Sequence, residues 1–409
     1  MSMNVVMSIN KEEYINKDRI VYLLSDLIQI YSPYFQEDEI MEYAYDWLSE
    51  HELSPNMHHY HEDKITGFKG KNLVGRIKGN KEGVKVLLNA HLDTVNICKG
   101  WNRDPLKAII EDENKLYGLG ALDMKSGAAA MMIALDAFVK LHPEFNGEIL
   151  YSFVSVEEGP FGLGTQALIY DELCSDADVA LIPEPSSGFS KNEFPCLCLG
   201  ARGGINYTVR FSGKAAHAAN PEEGVSAILD ASKVMVELKQ SKTIKDDKLG
   251  KGSICIIESK GGGQACSVAD DASFTIFRHV VRGEDEDYLK NEIQKAIQKA
   301  SIKCDTEIQF REGPFNGSGG FEPYTVEEDH PYTLLLNKCI KEVTGKSAKI
   351  AYFSSIGDFN TVASRLQVPT FVFGPGGENY HTHDEFVYID SVIKTSEIIY
   401  EYLKELLLK

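Results

Sequence analysis

Positive charge is what this 409-residue chain has too little of: 42 Lys and Arg face 61 Asp and Glu, a formal net charge of −19. A field of that sign repels phosphate backbones and anionic bilayers, so neither nucleic acid nor a membrane is expected as a partner. No run approaches the roughly 20 apolar residues of a membrane span. The opening MSMNVVMSIN is also too soon interrupted by charge to be the apolar core of a secretion signal, and a cytoplasmic protein is expected. The eight cysteines contain no C-x-x-C pair, which suits a reducing compartment better than a disulfide framework. Cys196 and Cys198 would share one face of an extended segment, but two thiols alone make a poor metal site, and they read as packing. Internal repeats and low-complexity tracts are missing too.

What is present is an ordinary globular balance, 43% hydrophobic and 25% charged, on a chain long enough for two or three domains at about 150 residues each. Apolar residues recur at helical spacing in KDRIVYLLSDLIQI and DEIMEYAYDWLSEHEL. Short, almost wholly apolar strand-like runs follow (NLVGRIKG, VKVLLNA, EILYSFVSV, DVALI, PTFVFG), separated by helical stretches such as KSGAAAMMIALDAFVKL and closed by SVIKTSEIIYEYLKELLLK. That pattern predicts an α/β fold, a mainly parallel sheet flanked by helices. Between residues 202 and 312 the order becomes β-α-β-β-α-β, which predicts a ferredoxin-like α+β domain inserted into a main domain made of residues 1–201 and 313–409. The glycine-rich NGSGGF at 316–321 falls where a hinge or linker would.

Four strand-like runs lead directly into acidic or imidazole residues, and in open α/β sheets ligands bind beyond the carboxyl ends of strands. VLLNA runs into His91 and Asp93, YSFVSV into Glu157 and Glu158, VALIP into Glu184, and FVFGPGGENY into His381, while GLGALD sets Asp123 just before a helix. A charged residue at one strand end is ordinarily a solvated cap. Two His, three carboxylates and an adjacent spare carboxylate together form the ligand set of a pair of borderline divalent metals, zinc first among them. Asp123, Glu158, Glu184 and a hydroxide would bring four negative charges, which two divalent ions neutralise, although a single-metal site is the alternative. Asp93, two residues from His91, would face the same way and could accept the imidazole's other N–H.

These residues sit in seven motifs in order: LLNAHLDTV, WNRDP, YGLGALDMKSG, SVEEGPFGLGT, PEP, GKAAHAANPEEGVSAI and GPGGENYHTHDEFV. Over nearly its whole length the chain thereby resembles the co-catalytic di-zinc peptidases and deacylases that include acetylornithine deacetylase, succinyl-diaminopimelate desuccinylase and carboxypeptidase G. The resemblance implies that His91 and Glu184 hold one ion, Glu158 and His381 the other, and that Asp123 bridges them, the ions being zinc, or cobalt or manganese. It implies that Glu157 takes a proton from the bridging water and delivers it to the leaving amine. It also implies that the inserted domain is a lid through which two copies form a homodimer, with His217 reaching the partner's active site to stabilise the oxyanion. By residue spacing alone, His217 would read as structural. Arg278, in FTIFRHV, matches an arginine that clamps a substrate carboxylate, with a surface ion pair as the alternative. The peptide after the bridging aspartate, here Asp123 to Met124, is often cis in the resembling structures.

The implied activity is hydrolysis of the amide bond of a small N-acyl amino acid by metal-bound hydroxide. A di- or tripeptidase or a carboxypeptidase is the alternative, and a metal-binding protein without catalysis a third reading. Where relatives carry an Asn in a glycine-led loop, this chain has Cys266 or Ser267. His58, His59 and His61 look metal-like, but they fall in a polar stretch expected to be a solvated loop. His383 competes with His381, which the spacing H-x-x-[DN]-E selects. TGKSAK at 344–349 lacks the leading glycine of a phosphate loop, and GLGALD lacks the third glycine of a dinucleotide fingerprint.

Overall fold

The computed structural model describes residues 10–315 and 319–409. Most of the opening segment read for a secretion signal, and residues 316–318 of the expected hinge, lie outside the described residues. The chain divides into two compact units. One comprises the residues up to Gly200 with Thr325–Tyr352 and Gly357–Lys409; the other comprises Ala201–Tyr324 with Phe353–Ile356.

The first unit is built on a nine-stranded mixed sheet. Its four central strands, in spatial order Asn146–Val154, Lys81–His91, Val179–Ile182 and Thr370–Val372, run parallel. Antiparallel strands flank them: Phe68–Lys78 and then Asn56–Glu62 on one side, Cys196–Ala201 on the other. Val86 to His91 and Ile149 to Val154 are buried without a break, as strands covered on both faces must be. The helix Lys125–Leu141 explains the covering of one face. Rich in Ala, Met and Leu, it is buried from Lys125 to Phe138 and packs against Lys17–Gln29 and Ile389–Leu407. A side chain at Gly127 would collide with the Pro183 carbonyl, so glycine lets this helix start close to the strand end that carries Glu184.

Two features of this unit were not expected. His58, His59 and His61 do not lie in a loop: they belong to the edge strand Asn56–Glu62, whose alternation buries Tyr60 and Glu62 and turns most of the rest outward. His58 Nε2 is 2.7 Å from Asp171 Oδ2, an ordinary ion-pair geometry. A second, four-stranded antiparallel sheet joins Gly377–Glu378, Phe386–Tyr388, Lys115–Tyr117 and Ile109–Glu111. It ties the 118–123 segment to the 379–385 turn, which lie far apart in sequence.

The second unit carries the ferredoxin-like order. Its antiparallel sheet runs Ser253–Gly262, Asp271–Val280, Gly203–Ser212 and Asp305–Phe310, with the helices Ala227–Lys239 and Glu286–Ala300 between strands in the chain. Val209, Phe211, Phe274 and Ile276 from the sheet pack against Ala231, Val234, Leu289 and Ile293 from the helices. This unit reaches Tyr324, beyond the expected 312.

Candidate metal centre

The parallel strands deliver their carboxyl ends to one edge of the first unit's sheet, and five expected residues meet there. His91 ends its strand, Glu158 follows Asn146–Val154, Glu184 follows Val179–Ile182, Asp123 lies just before Met124, which caps the helix Lys125–Leu141, and His381 sits in the turn before Phe386–Tyr388. Asp123 lies between the two imidazoles: its Oδ1 is 3.4 Å from His91 Nε2 and its Oδ2 3.2 Å from His381 Nε2. Glu184 Oε1 is 3.4 Å from His91 Nε2, and Glu158 Oε1 is 2.8 Å from His381 Nε2. Two ligand groups result, His91–Asp123–Glu184 and Asp123–Glu158–His381, in each of which the donor atoms lie within 4.8 Å of one another. Asp123 is common to both. The Asp123–Met124 peptide is cis.

The donor set fits a pair of cations. His91 Nε2 and Glu184 Oε2 are buried without a hydrogen-bond partner among the described residues, an expense a protein tolerates where something else fills the gap. Without a cation, Glu158 and Glu184 are pushed toward their protonated forms, while the two imidazoles keep Asp123 ionised. Burial, then the charge of Asp123, pushes Glu158 up to about 8 and Glu184 well above its ordinary range. Burial pulls the other way on His381, yet the carboxylates of Asp123 and Glu158 lift it to about 11. The first group is buried; the second opens toward solvent through His381, whose side chain is 45% exposed.

Buried carboxylates brace this site from behind. Asp93 departs from expectation: the Nδ1 of His91 lies 3.0 Å from the Asp93 backbone carbonyl, while the Asp93 carboxylate accepts the backbone N–H groups of Glu157 at 3.0 Å and Glu158 at 2.9 Å. Glu385 accepts three backbone N–H groups, from Gly120, Leu122 and Asp123, at 2.8 to 2.9 Å. Glu37 accepts those of Phe35 and Val156. Sequence reading missed Glu37 and passed over Glu385, although the latter stands in the quoted GPGGENYHTHDEFV. Charged residues that serve backbone groups leave no spacing signal.

Glu157 belongs to neither ligand group. Its Oε1 accepts the backbone N–H of Asp358 at 3.1 Å, and burial is the main force raising its pKa. His383 packs beside Gly100 and is likewise in neither group. In the second unit His217 is on the surface, its Nδ1 accepting the Ala219 N–H at 3.1 Å and its backbone bridged to Ser267, which with Cys266 is one of the two positions read in place of the family Asn. Arg278 overturns its expectation as a substrate clamp. Its side chain is wholly buried in the second unit, with Nη2 2.8 Å from Glu284 Oε1, Nε 3.1 Å from Glu292 Oε2 and Nη1 donating to the His279 carbonyl. The strand face explains this: Phe274, Ile276, Arg278 and Val280 alternate onto the helix-covered side.

The sequence pattern of peptidase family M20/M25/M40 matches residues 87–405, a span that includes all five clustered residues. Similar curated proteins include the succinyl-diaminopimelate desuccinylases of Psychrobacter, 29% identical over 349 residues and 83% of each chain, and of Colwellia psychrerythraea, 27% identical over 311 residues and 75% of each chain. Among solved structures, aminopeptidase PepT from Bacillus cereus aligns with a TM-score of 0.76 at 21% identity, covering 96% of this chain and 99% of that one. A tripeptidase from Staphylococcus aureus aligns with a TM-score of 0.76 at 23% identity over the same shares. These structural likenesses speak to the fold alone. No helix among the described residues is long and apolar enough to cross a membrane.

Proposed function

The chain belongs to peptidase family M20/M25/M40 and is a metallohydrolase of amide or peptide bonds; from that premise we propose that it deacylates a small N-acyl amino acid. The observation that carries the chemistry is Asp123 flanked by an imidazole on each side and shared by two ligand groups. His91, Asp123 and Glu184 would hold one divalent ion, and Asp123, Glu158 and His381 a second, zinc before cobalt or manganese. Such ions supply Lewis-acid polarisation of the scissile carbonyl and lower the pKa of a water. Glu157, outside both ligand groups, takes the proton of the attacking water and returns it to the departing amine nitrogen, work that suits a carboxylate whose burial raises its proton affinity. Asp93 orients Glu157 and Glu158 through their backbones rather than touching substrate.

The desuccinylase names of relatives that match three quarters or more of both chains favour the deacylase reading. A di- or tripeptidase is the second reading. The burial of Arg278 between two glutamates, away from any role as a clamp for a substrate carboxylate, favours it. The protein works as a cytoplasmic homodimer joined through the 202–312 insertion, with His217 of one copy completing the oxyanion site of the other. Ile228, Leu229 and Val236 on the helix Ala227–Lys239 and Ile257 on the edge strand Ser253–Gly262 are exposed apolar residues of the kind such an interface covers. All eight cysteines are free, as a reducing compartment keeps them.

The test is a panel of N-succinyl and N-acetyl amino acids, dipeptides and tripeptides, run with elemental analysis of the loaded protein. Two divalent ions per chain and turnover of the acylated amino acids are expected. Preferential turnover of free peptides moves the assignment to the second reading, and a loaded chain inert toward the entire panel refutes both.

A further inference from the structure

Glu157 rests against a second acidic residue that neither ligand group uses. Asp358 opens the nine-residue helix Asp358–Leu366, and its backbone N–H donates to Glu157 Oε1 at 3.1 Å. Gly357 leaves room for this contact: a methyl group there would lie 3.1 Å from Glu157 Oε1 and 2.5 Å from the Phe359 ring. The Asp358 side chain points inward. It is 2% exposed, its Oδ2 accepts the Thr165 hydroxyl at 2.5 Å, and its Oδ1 has no hydrogen-bond partner among the described residues. Thr165 in turn accepts from Asn89 at 3.3 Å, and Asn89 accepts from Ser152 at 2.7 Å. Asn89 lies two residues before His91, and Ser152 lies on the strand that leads to Glu157. A buried carboxyl group with one unpartnered oxygen is costly, and the Thr165 hydroxyl is the donor that holds it in this place.

We propose that Asp358 is a positioning residue for Glu157: its backbone N–H holds Glu157 Oε1, and its side chain, locked by Thr165, fixes the start of the helix that presents that N–H. The inference rests on the reading of Glu157 as the proton carrier. One Glu157 oxygen is held by that N–H, which would leave the other for the reacting water. A carboxylate free to rotate would spend much of its time out of line, and small misplacements of a reacting group cost roughly 10- to 100-fold in rate.

The metal-loaded full-length chain tests this on whichever panel substrate it turns over. Asp358→Ala and Thr165→Val each lower kcat by roughly 10-fold or more with KM and bound metal unchanged, and Thr165→Ser restores the rate. In a Glu157→Gln background, Asp358→Ala lowers the residual rate no further. An equal fold-loss in both backgrounds overturns the proposal, because Asp358 would then act on something other than Glu157. Should Asp358→Ala fail to fold, the Thr165→Val and Thr165→Ser pair carries the same comparison. A measurement independent of turnover stands beside these: the Asp358 amide exchanges slowly with solvent deuterium in the native chain and faster in Glu157→Ala. Unchanged exchange overturns the proposal whether or not a substrate has been found, whereas faster exchange in a chain inert toward the whole panel supports the contact and condemns only the hydrolase reading.

Discussion

Asp93 stands two residues from His91, yet its carboxylate serves Glu158 and Glu157, accepting their backbone N–H groups at 2.9 and 3.0 Å. The turn that carries Glu157 and Glu158 is thus held by the wholly buried side chain of Asp93, which follows a neighbouring strand end.

Replacing Asp93 by alanine removes the acceptor of both part-buried N–H groups, at up to about 1–3 kcal/mol each where water does not replace it. The expected outcome is a 10- to 100-fold weaker metal affinity of the kind that follows loss of a residue supporting metal ligands, read by competition with a chelator. Affinity equal to that of the native chain would mean the Glu157–Glu158 turn holds its shape unaided.

Glu157→Gln keeps the shape of the side chain and removes its basicity. Because Glu157 lies outside both ligand groups, elemental analysis is expected to find the native metal content while kcat falls by roughly 10²–10⁴-fold. Loss of metal together with activity would instead make it a ligand.

In the metal-free protein, stability is expected to fall as pH rises. Burial, then the charge of Asp93, lifts Glu37 from an ordinary 4.5 to about 8, and burial lifts Glu385 to about 7. Between pH 4.5 and those values the unfolded chain releases protons that the folded chain keeps. The stability these groups contribute is therefore complete below about pH 4.5 and lost as pH climbs through 7 to 8. Melting temperature against pH, repeated with Glu37→Gln, checks this. The variant should flatten the decline, and a curve superimposable on the native one would contradict it.

Arg278→Met strands Glu284 and Glu292 as buried charges without their cation, which costs about 3–5 kcal/mol. Denaturant unfolding should report that loss, while KM of whatever protein remains folded stays at its native value. A raised KM with native stability would restore the substrate clamp.

Much of this was legible in the chain because it is local. The apolar runs ending in His91, Glu158 and Glu184 report strands covered on both faces, and strands of that kind must lie in a parallel sheet whose carboxyl ends converge. The alternation in ASFTIFRHV even records the face of Arg278, since Phe274, Ile276 and Val280 share its parity. Its match to a family motif obscured that signal. The edge strand holding His58, His59 and His61 was missed because a polar strand at a sheet border has only a weak apolar pattern to read.

By itself, then, the sequence determined the strongly apolar elements and which residues stand at their ends, since periodicity and local chemistry suffice for that. Only the tertiary structure decided what each buried charge serves: Asp93 the turn of Glu157 and Glu158, Glu385 the loop of Asp123, Arg278 two glutamates, Asp358 the carboxylate of Glu157. The physical reason is that a buried ion takes whichever donors packing brings within about 3 Å, and those come from distant parts of the chain that no local spacing specifies.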